Sequence, residues 1–311
     1  MPLTFSVVTP SYNQGPFIQR TIDSVLSQTG VAFDYMICDG GSKDQTRAIL
    51  ESYGNRLRWV SEPDGGQAAA VNKGIAATAG DIIAWINSDD VYLPSAFRKV
   101  QSVFEANSDV KVVYGNACHI DCEDQIIETY PTEPWNYERL KDVCFLCQPA
   151  VFFRRSMIHT HGELKAALKF CMDYELWLRY GRYTDFYYLQ ETLAYSRFYA
   201  DTKTLGQRLA VHYEINEMMK ATFGIVPEKW VLTYAHVAQD EREKNIATAT
   251  DIGRARIQRI HGFCKEAFKG AWRWRHGRLS AATLRMMSGW LYTAYSDRLR
   301  EQFRGNGRQA R

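Results

Sequence analysis

Short apolar runs alternate with helical-period segments through the first 115 residues, and this alternation restricts the fold more than any other feature. Residues 5–9 form an apolar run stopped by Pro10, the pattern of a buried strand. Ile18, Ile22, Val25 and Leu26 then recur at helical spacing. Residues 33–38 and 57–61 read as further strands. Between them, Ser42, Lys43, Asp44 and Gln45 have the form of a capping box, in which Ser42 caps backbone donors and Gln45 reaches back. The turn over residues 62–66 leads into an alanine-rich helix over 67–77. Residues 81–86 are a fourth strand, a helix starts near Pro94, and residues 110–114 are a fifth strand. Strands separated by helices of ten or more residues pair in parallel through right-handed crossovers. The predicted class is α/β, a mostly parallel sheet with helices on both faces. From residue 118 to 198 the pattern loosens into short strands and one strong helix over 172–180. Beyond Asp201 the chain reads as helical.

Composition excludes several function classes. The chain has 311 residues, 46% of them apolar and 23% charged, an ordinary globular mix able to bury a sizeable core. A net charge of +3 is too small to point to nucleic acid, and no nucleic-acid partner is expected. No run approaches the roughly 18 apolar residues of a membrane span, and the N-terminus lacks a signal-peptide layout. The expected location is cytoplasmic, soluble or peripheral at the inner face of the cell membrane. Seven cysteines, an odd number spread along the chain, do not read as a disulfide framework. Cys118, Cys122, Cys144 and Cys147 could supply four thiolates to zinc. Their apolar surroundings favour small core residues instead.

In an open parallel sheet, ligands bind beyond the carboxyl ends of the strands. Here those ends read Pro10-Ser11-Tyr12-Asn13, then Asp39-Gly40-Gly41-Ser42, then Glu62-Pro63-Asp64, then Asn87-Ser88-Asp89-Asp90. No glycine-rich phosphate loop is present. Acids alone would repel a diphosphate, but Mg²⁺ or Mn²⁺ takes carboxylate oxygens on one side and phosphate oxygens on the other. Asp89 and Asp90 are the natural ligands. Tyr12 offers a flat face for a base, and Asp39 can accept from an imide N–H. The constellation points to a nucleotide diphosphate held through a metal.

These strand ends, with Asn72-Lys73-Gly74, residues 148–153 (Gln-Pro-Ala-Val-Phe-Phe) and residues 172–179 (Met-Asp-Tyr-Glu-Leu-Trp-Leu-Arg), resemble the family 2 glycosyltransferases of the GT-A fold. The resemblance covers about residues 3–200. It implies inverting transfer from a nucleotide-diphosphate sugar, with UDP as the first carrier and dTDP or GDP as others, to a glycan or lipid-linked glycan. It implies that Tyr12 stacks near the base, that Asp39 binds the pyrimidine ring, and that Glu62 and Asp64 lie near the nucleotide or sugar. Thr9, Pro10, Asn72, Lys73, Asn87 and Ser88 are expected around the same donor. Arg197 and Lys203 would add positive charge for the leaving diphosphate. Asp173 takes the position of the general base, at a helix N-terminus that favours its ionised form. Gln148 and Trp177 fall on the acceptor side, with helix core as the alternative for Trp177. Two positions depart from the family pattern. Asn87 replaces the first acid of the metal motif, so coordination falls on Asp89 with Asp90 assisting. Met172 replaces the acid that usually precedes the base.

The implied organisation is a catalytic domain over residues 1–200, with a donor half over about 1–115 and an acceptor half over about 116–200. A basic, Trp-rich helical region over 201–311 follows. Its Trp272, Trp274, Met286, Met287, Trp290, Leu291 and Tyr292 interleave with Arg273, Arg275, Arg278, Arg285, Arg298 and Arg300. Such a segment either lies on an anionic bilayer or packs its apolar side on another part of the protein. The rival functions are a sugar-nucleotide nucleotidyltransferase and a non-catalytic glycan-binding or scaffold relative.

Overall fold

The computed structural model describes residues 2–199, 206–244 and 252–306. Lys203 lies outside the described residues, as do the side chains of Arg254 and Arg300. The chain divides into two compact units, Met1–Thr202 and Lys203–Arg311.

The first unit is built on a nine-stranded sheet. Its strands are β1 (Thr4–Ser11), β2 (Ala32–Asp39), β3 (Arg58–Ser61), β4 (Ile82–Trp85), β5 (Val91–Tyr92), β6 (Val112–Ile120), β7 (Ile126–Thr129), β8 (Val151–Arg154) and β9 (Tyr187–Arg197). They run in the order β3-β2-β1-β4-β8-β6-β9-β5, with β7 on β6. The expected parallel sheet is present in β3-β2-β1-β4. Beyond β4 the sheet is mixed, because β8 runs antiparallel between β4 and β6. The stretch before β8 therefore enters at the carboxyl edge of β4, and Gln148 donates its Nε2 to the Trp85 carbonyl there at 2.7 Å.

The helices are α1 (Ile18–Leu26), α2 (Thr46–Ser52), α3 (Gln67–Ala76), α4 (Ala96–Ala106), α5 (Tyr137–Asp142), α6 (Ser156–His161) and α7 (Met172–Tyr180). Ile18, Ile22 and Val25 of α1 are fully buried, as their spacing predicts. The core between sheet and helices is aromatic. Phe5 stacks on Phe97 at 4.8 Å, and both pack against Phe152. Each such ring contributes about 1.5–3 kcal/mol by leaving water. Helix α3 lies so close to β1 that a Cβ on Gly74 would overlap the Val8 side chain.

The capping box is corrected by the structure. Helix α2 starts at Thr46, and Gln45 makes no capping bond with its side chain. Asp44 instead accepts from the Thr46 N–H at 3.0 Å, while Ser42 is drawn into the loop after β2.

The second unit holds α8 (Arg208–Phe223), α9 (Glu228–Lys244), α10 (Ile252–Trp274) and α11 (Ala281–Asn306). Phe263, Cys264 and Ala267 of α10 meet Ala235 of α9 and Met287 of α11 in its core. Trp274 is also buried, and its indole donates to Glu217 at 2.7 Å.

Candidate active site

Parallel register lines up the rim. Ser11, Asp39 and Ser61 stand side by side at the ends of β1, β2 and β3. Asp39 is buried, and four donors converge on its carboxylate. They are the N–H groups of Gly41 and Ser42 at 3.2 and 2.9 Å, and the hydroxyls of Ser42 and Ser61 at 2.5 and 2.6 Å. An ionised carboxylate accepts only, so it is the side chain suited to gather four donors. The Ser42 oxygen also accepts from the Asn13 N–H at 2.7 Å. Asp44 accepts from the Gly15 N–H at 2.8 Å. Burial pushes the Asp44 carboxyl up, but the bonds from Thr46 and Gly15 outweigh it and hold it below its usual range. The loops after β1 and β2 are thus stitched into one surface. Tyr12 is 60% exposed on that loop.

The turn after β4 is braced from beneath. Asn87 accepts from Gln67 Nε2 at 2.7 Å and Trp85 Nε1 at 3.2 Å, and donates to Asp90 at 3.3 Å. Asp90 is buried and accepts from the Arg197 N–H at 2.8 Å. Burial first, and then the adjacent Asp89 charge, push its carboxyl up. Arg197 has a fully buried side chain. It donates to the carbonyls of Asp89 and Asp121 and to the Asp124 carboxylate, at 2.8, 2.5 and 2.5 Å. Its guanidinium covers the Phe17 ring at 4.8 Å. Asp89 is half-buried, and its carboxylate accepts from the Tyr199 hydroxyl at 3.2 Å.

Asp173 stands in the first turn of α7, half-buried. The charge of Asp173 reaches the buried Cys147 thiol, as does that of Asp90 in the turn after β4. Burial pushes that thiol up, and the charges of Asp90, Cys144 and Asp173 act in the same direction. One buried thiol is therefore within electrostatic reach of both acidic centres. Helix α7 is anchored by Glu175, which pairs with Lys165 and Arg179 at 2.8 Å each. Arg179 also donates to the carbonyls of Gly162 and Glu163.

The structure sorts the sequence-predicted residues by exposure. Tyr12, Glu62, Asp64, Lys73, Asn87, Asp89 and Asp173 are exposed or half-buried. Lys73 forms an ion pair with Glu62. Thr9 is buried and bonded to the Tyr35 hydroxyl at 3.1 Å, and Pro10 and Ser88 are buried. Asn72 spends its side chain on the Leu164 backbone, donating at 2.8 Å and accepting at 3.1 Å. Arg197 is a brace, with each guanidinium nitrogen engaged by the protein. Trp177 is fully buried, against Phe153 and Phe186. Gln148 is buried behind Trp85. Sequence reasoning gave Tyr199 no contact with the acidic turn, did not treat Asp124, and quoted Glu175 only as a letter of the 172–179 motif. The partners of Tyr199 and Asp124 lie more than seventy residues away, so no local pattern marks them, whereas Glu175 and Arg179 are four apart on one helix.

The side chains present offer a divalent ion little by themselves. Among the described residues no three His, Cys, Asp or Glu side chains gather to hold a metal, and all seven cysteines are free. The four-thiolate arrangement is therefore not formed by Cys118, Cys122, Cys144 and Cys147. One half-buried carboxylate, Asp89, suits Mg²⁺ or Mn²⁺ only when a substrate's phosphate oxygens supply other ligands.

Comparisons with known proteins agree with this geometry. An uncharacterized glycosyltransferase of Rickettsia prowazekii is 28% identical over 213 residues, 64% of this chain and 65% of its own. The hyaluronan synthase of Pasteurella multocida is 28% identical over 210 residues, 66% of this chain and 21% of its own. These matches leave more than a third of each relative's length unspanned. The structure of S. aureus TarS 1–349 in complex with UDP-GlcNAc superposes with a TM-score of 0.58 at 15% identity, over 85% of this chain and 82% of that one. That likeness is one of fold, GT-A. The family model described as glycosyl transferase family 2 matches residues 6–162, half of the chain, and with the stitched rim above it the chain belongs to the glycosyl transferase family 2.

Proposed function

We propose that the chain is an inverting glycosyltransferase that moves a sugar from a nucleotide-diphosphate donor to a hydroxyl of a glycan. One observation carries this reading. The family 2 model matches residues 6–162, a stretch that holds both the stitched rim around Asp39 and the acidic turn at Asp89. UDP is the favoured carrier, supported by the TarS complex with UDP-GlcNAc. Polysaccharide assembly is the favoured setting, supported by the hyaluronan and chondroitin synthases among the relatives. A lipid-linked glycan is the acceptor class favoured by the basic, aromatic helical unit. Family membership favours glycosyl transfer over nucleotidyl transfer and over a scaffold role.

In this mechanism Tyr12 stacks beside the base, and the stitched loops carrying Asp39 present the ring-binding edge. Glu62, Asp64 and Lys73 line the sugar and ribose side. Asp89 would hold Mn²⁺ or Mg²⁺ together with the diphosphate, and the bound ion would neutralise charge on the leaving group. In this reading Asp90 and Arg197 position the turn from behind, and ligation falls on Asp89. Asp173 takes the proton from the acceptor hydroxyl as that oxygen attacks the anomeric carbon and the bond to the diphosphate breaks on the opposite face. Such a base contributes about 10²–10⁴-fold.

A donor-hydrolysis screen over UDP-, dTDP- and GDP-sugars, with and without Mn²⁺, tests the reading. Metal-dependent release of one nucleotide diphosphate is expected, and lost in Asp89→Ala. No release from any donor, or release that ignores both metal and Asp89, overturns it.

A further inference from the structure

The helical unit exposes an aromatic surface that its own core does not use. On α10, His261, Lys265, Phe268 and Trp272 are exposed and recur at three- and four-residue spacing, so they share one face. Phe268 is 52% exposed and Trp272 80%. Nε2 of His261 lies 2.8 Å from the Tyr295 hydroxyl of α11. That contact continues the face onto α11, where Tyr292, 76% exposed, stands one turn from Tyr295. Isolated exposed apolar residues are ordinary, but a contiguous aromatic surface marks an interaction site.

The charge on this part of the unit has one sign. Between residues 252 and 298 the only acids are Glu266 and Asp297. Glu266 is buried and paired with Arg242 and Lys269. Asp297 is paired with Arg256. Lys265 and Arg285 are exposed and have no acidic partner among the described residues. Charge complementarity favours an anionic partner. A second copy of this face would bring like charges together, which costs affinity. Rings with a polar tip and cations on aliphatic stems are the side chains that settle at the headgroup level of a bilayer. No described helix is long and apolar enough to cross a membrane, so the contact is one of surface.

We propose that the face formed by His261, Lys265, Phe268, Trp272, Tyr292 and Tyr295 docks the protein on the headgroup layer of an anionic lipid bilayer. The cations draw the unit to the surface and the rings enter the interface. This inference goes beyond the catalytic reading and does not depend on it.

Flotation of the full chain with phosphatidylglycerol–phosphatidylcholine vesicles, against phosphatidylcholine alone, tests it. The protein is expected to float with the anionic vesicles and to be released by high salt. Lys265→Gln and Arg285→Gln should each lower partitioning about fivefold, the effect of one cation near an anionic surface. The Phe268→Ala, Trp272→Ala pair should abolish flotation. Circular dichroism and donor hydrolysis, both unchanged, show that these variants are folded. Equal partitioning into neutral vesicles, no flotation at all, or variants that float like the parent overturn the proposal. So does light scattering that finds a dimer which Trp272→Ala converts to monomer. Loss of flotation with hydrolysis retained bears on this face alone, and loss of hydrolysis with flotation retained bears on the catalytic reading alone.

Discussion

The Tyr199 hydroxyl donates to the Asp89 carboxylate at 3.2 Å, with the Tyr199 ring packed on Phe17 at 5.0 Å. Burial, followed by the Asp89 charge, pushes the Tyr199 phenol up to about 12, so it remains a donor throughout the neutral range. Tyr199 thus orients the one half-buried carboxylate of the acidic turn. Tyr199→Phe keeps the ring and deletes the donor. Metal affinity should fall about 10–100-fold, as for other groups that orient a ligand from behind. Mn²⁺ titration of donor hydrolysis measures this, and an unmoved midpoint would separate Tyr199 from the site.

Asp89 and Asp90 should behave differently although they are neighbours. Asp89→Asn is expected to abolish Mn²⁺-dependent binding of UDP. Asp90→Asn should retain it, because Asp90 faces the Arg197 N–H and Asn87. Isothermal titration with UDP and Mn²⁺ distinguishes the two. Equal loss in both would return Asp90 to the ligand set.

Asp173→Asn preserves volume and removes the proposed base. Turnover with acceptor should drop about 10²–10⁴-fold, while UDP binding stays within error of the parent. Retained turnover would move the base elsewhere on the rim.

Glu175 sets the acid limb of stability. Burial pushes its carboxyl up, but bonds from Arg179 and Lys165 outweigh burial and hold it below its ordinary value. A lowered folded-state pKa means the contribution is fully present above the unfolded value, about 4.3. It is lost as pH falls through the folded one. Glu175→Gln should cost about 3 kcal/mol at neutral pH, the scale of breaking a buried pair. The gap from the parent should narrow in acid, as pH falls below the ordinary glutamate value and through the lowered folded-state one. Urea unfolding at neutral and acid pH reads both, and a constant gap would rule out Glu175 as the titrating group.

Periodicity made the parallel half of the sheet legible. The apolar run over residues 5–9 and the Ile18, Ile22, Val25 spacing became β1 and α1 because burial alone decides them. Helix α7 was equally readable over residues 172–180. The two-residue strand β5 is too short to show a period, and the direction of β8 depends on partners from distant chain. The acidic rim was visible as residue types at strand ends. Their division into presented and bracing groups was not. Asp39 and Asp90 stand among the rim acids, and only the structure shows that both are buried, Asp39 with serine donors and Asp90 with the Arg197 N–H and Asn87. A single sequence shows that a carboxylate stands at a turn, not which way the turn rolls. Ser42 shows the same limit, since a capping pattern and a loop-closing pattern share the same letters.

The reversed direction of β8 has an outcome for how such a chain diversifies. Because this strand enters at the carboxyl edge of β4, the segment ahead of Gln148 reaches the rim without taking part in the pairing of β1, β2 and β3. On the proposed reading, changes in that segment would alter the acceptor side while the donor rim of β1, β2 and β3 stays as it is.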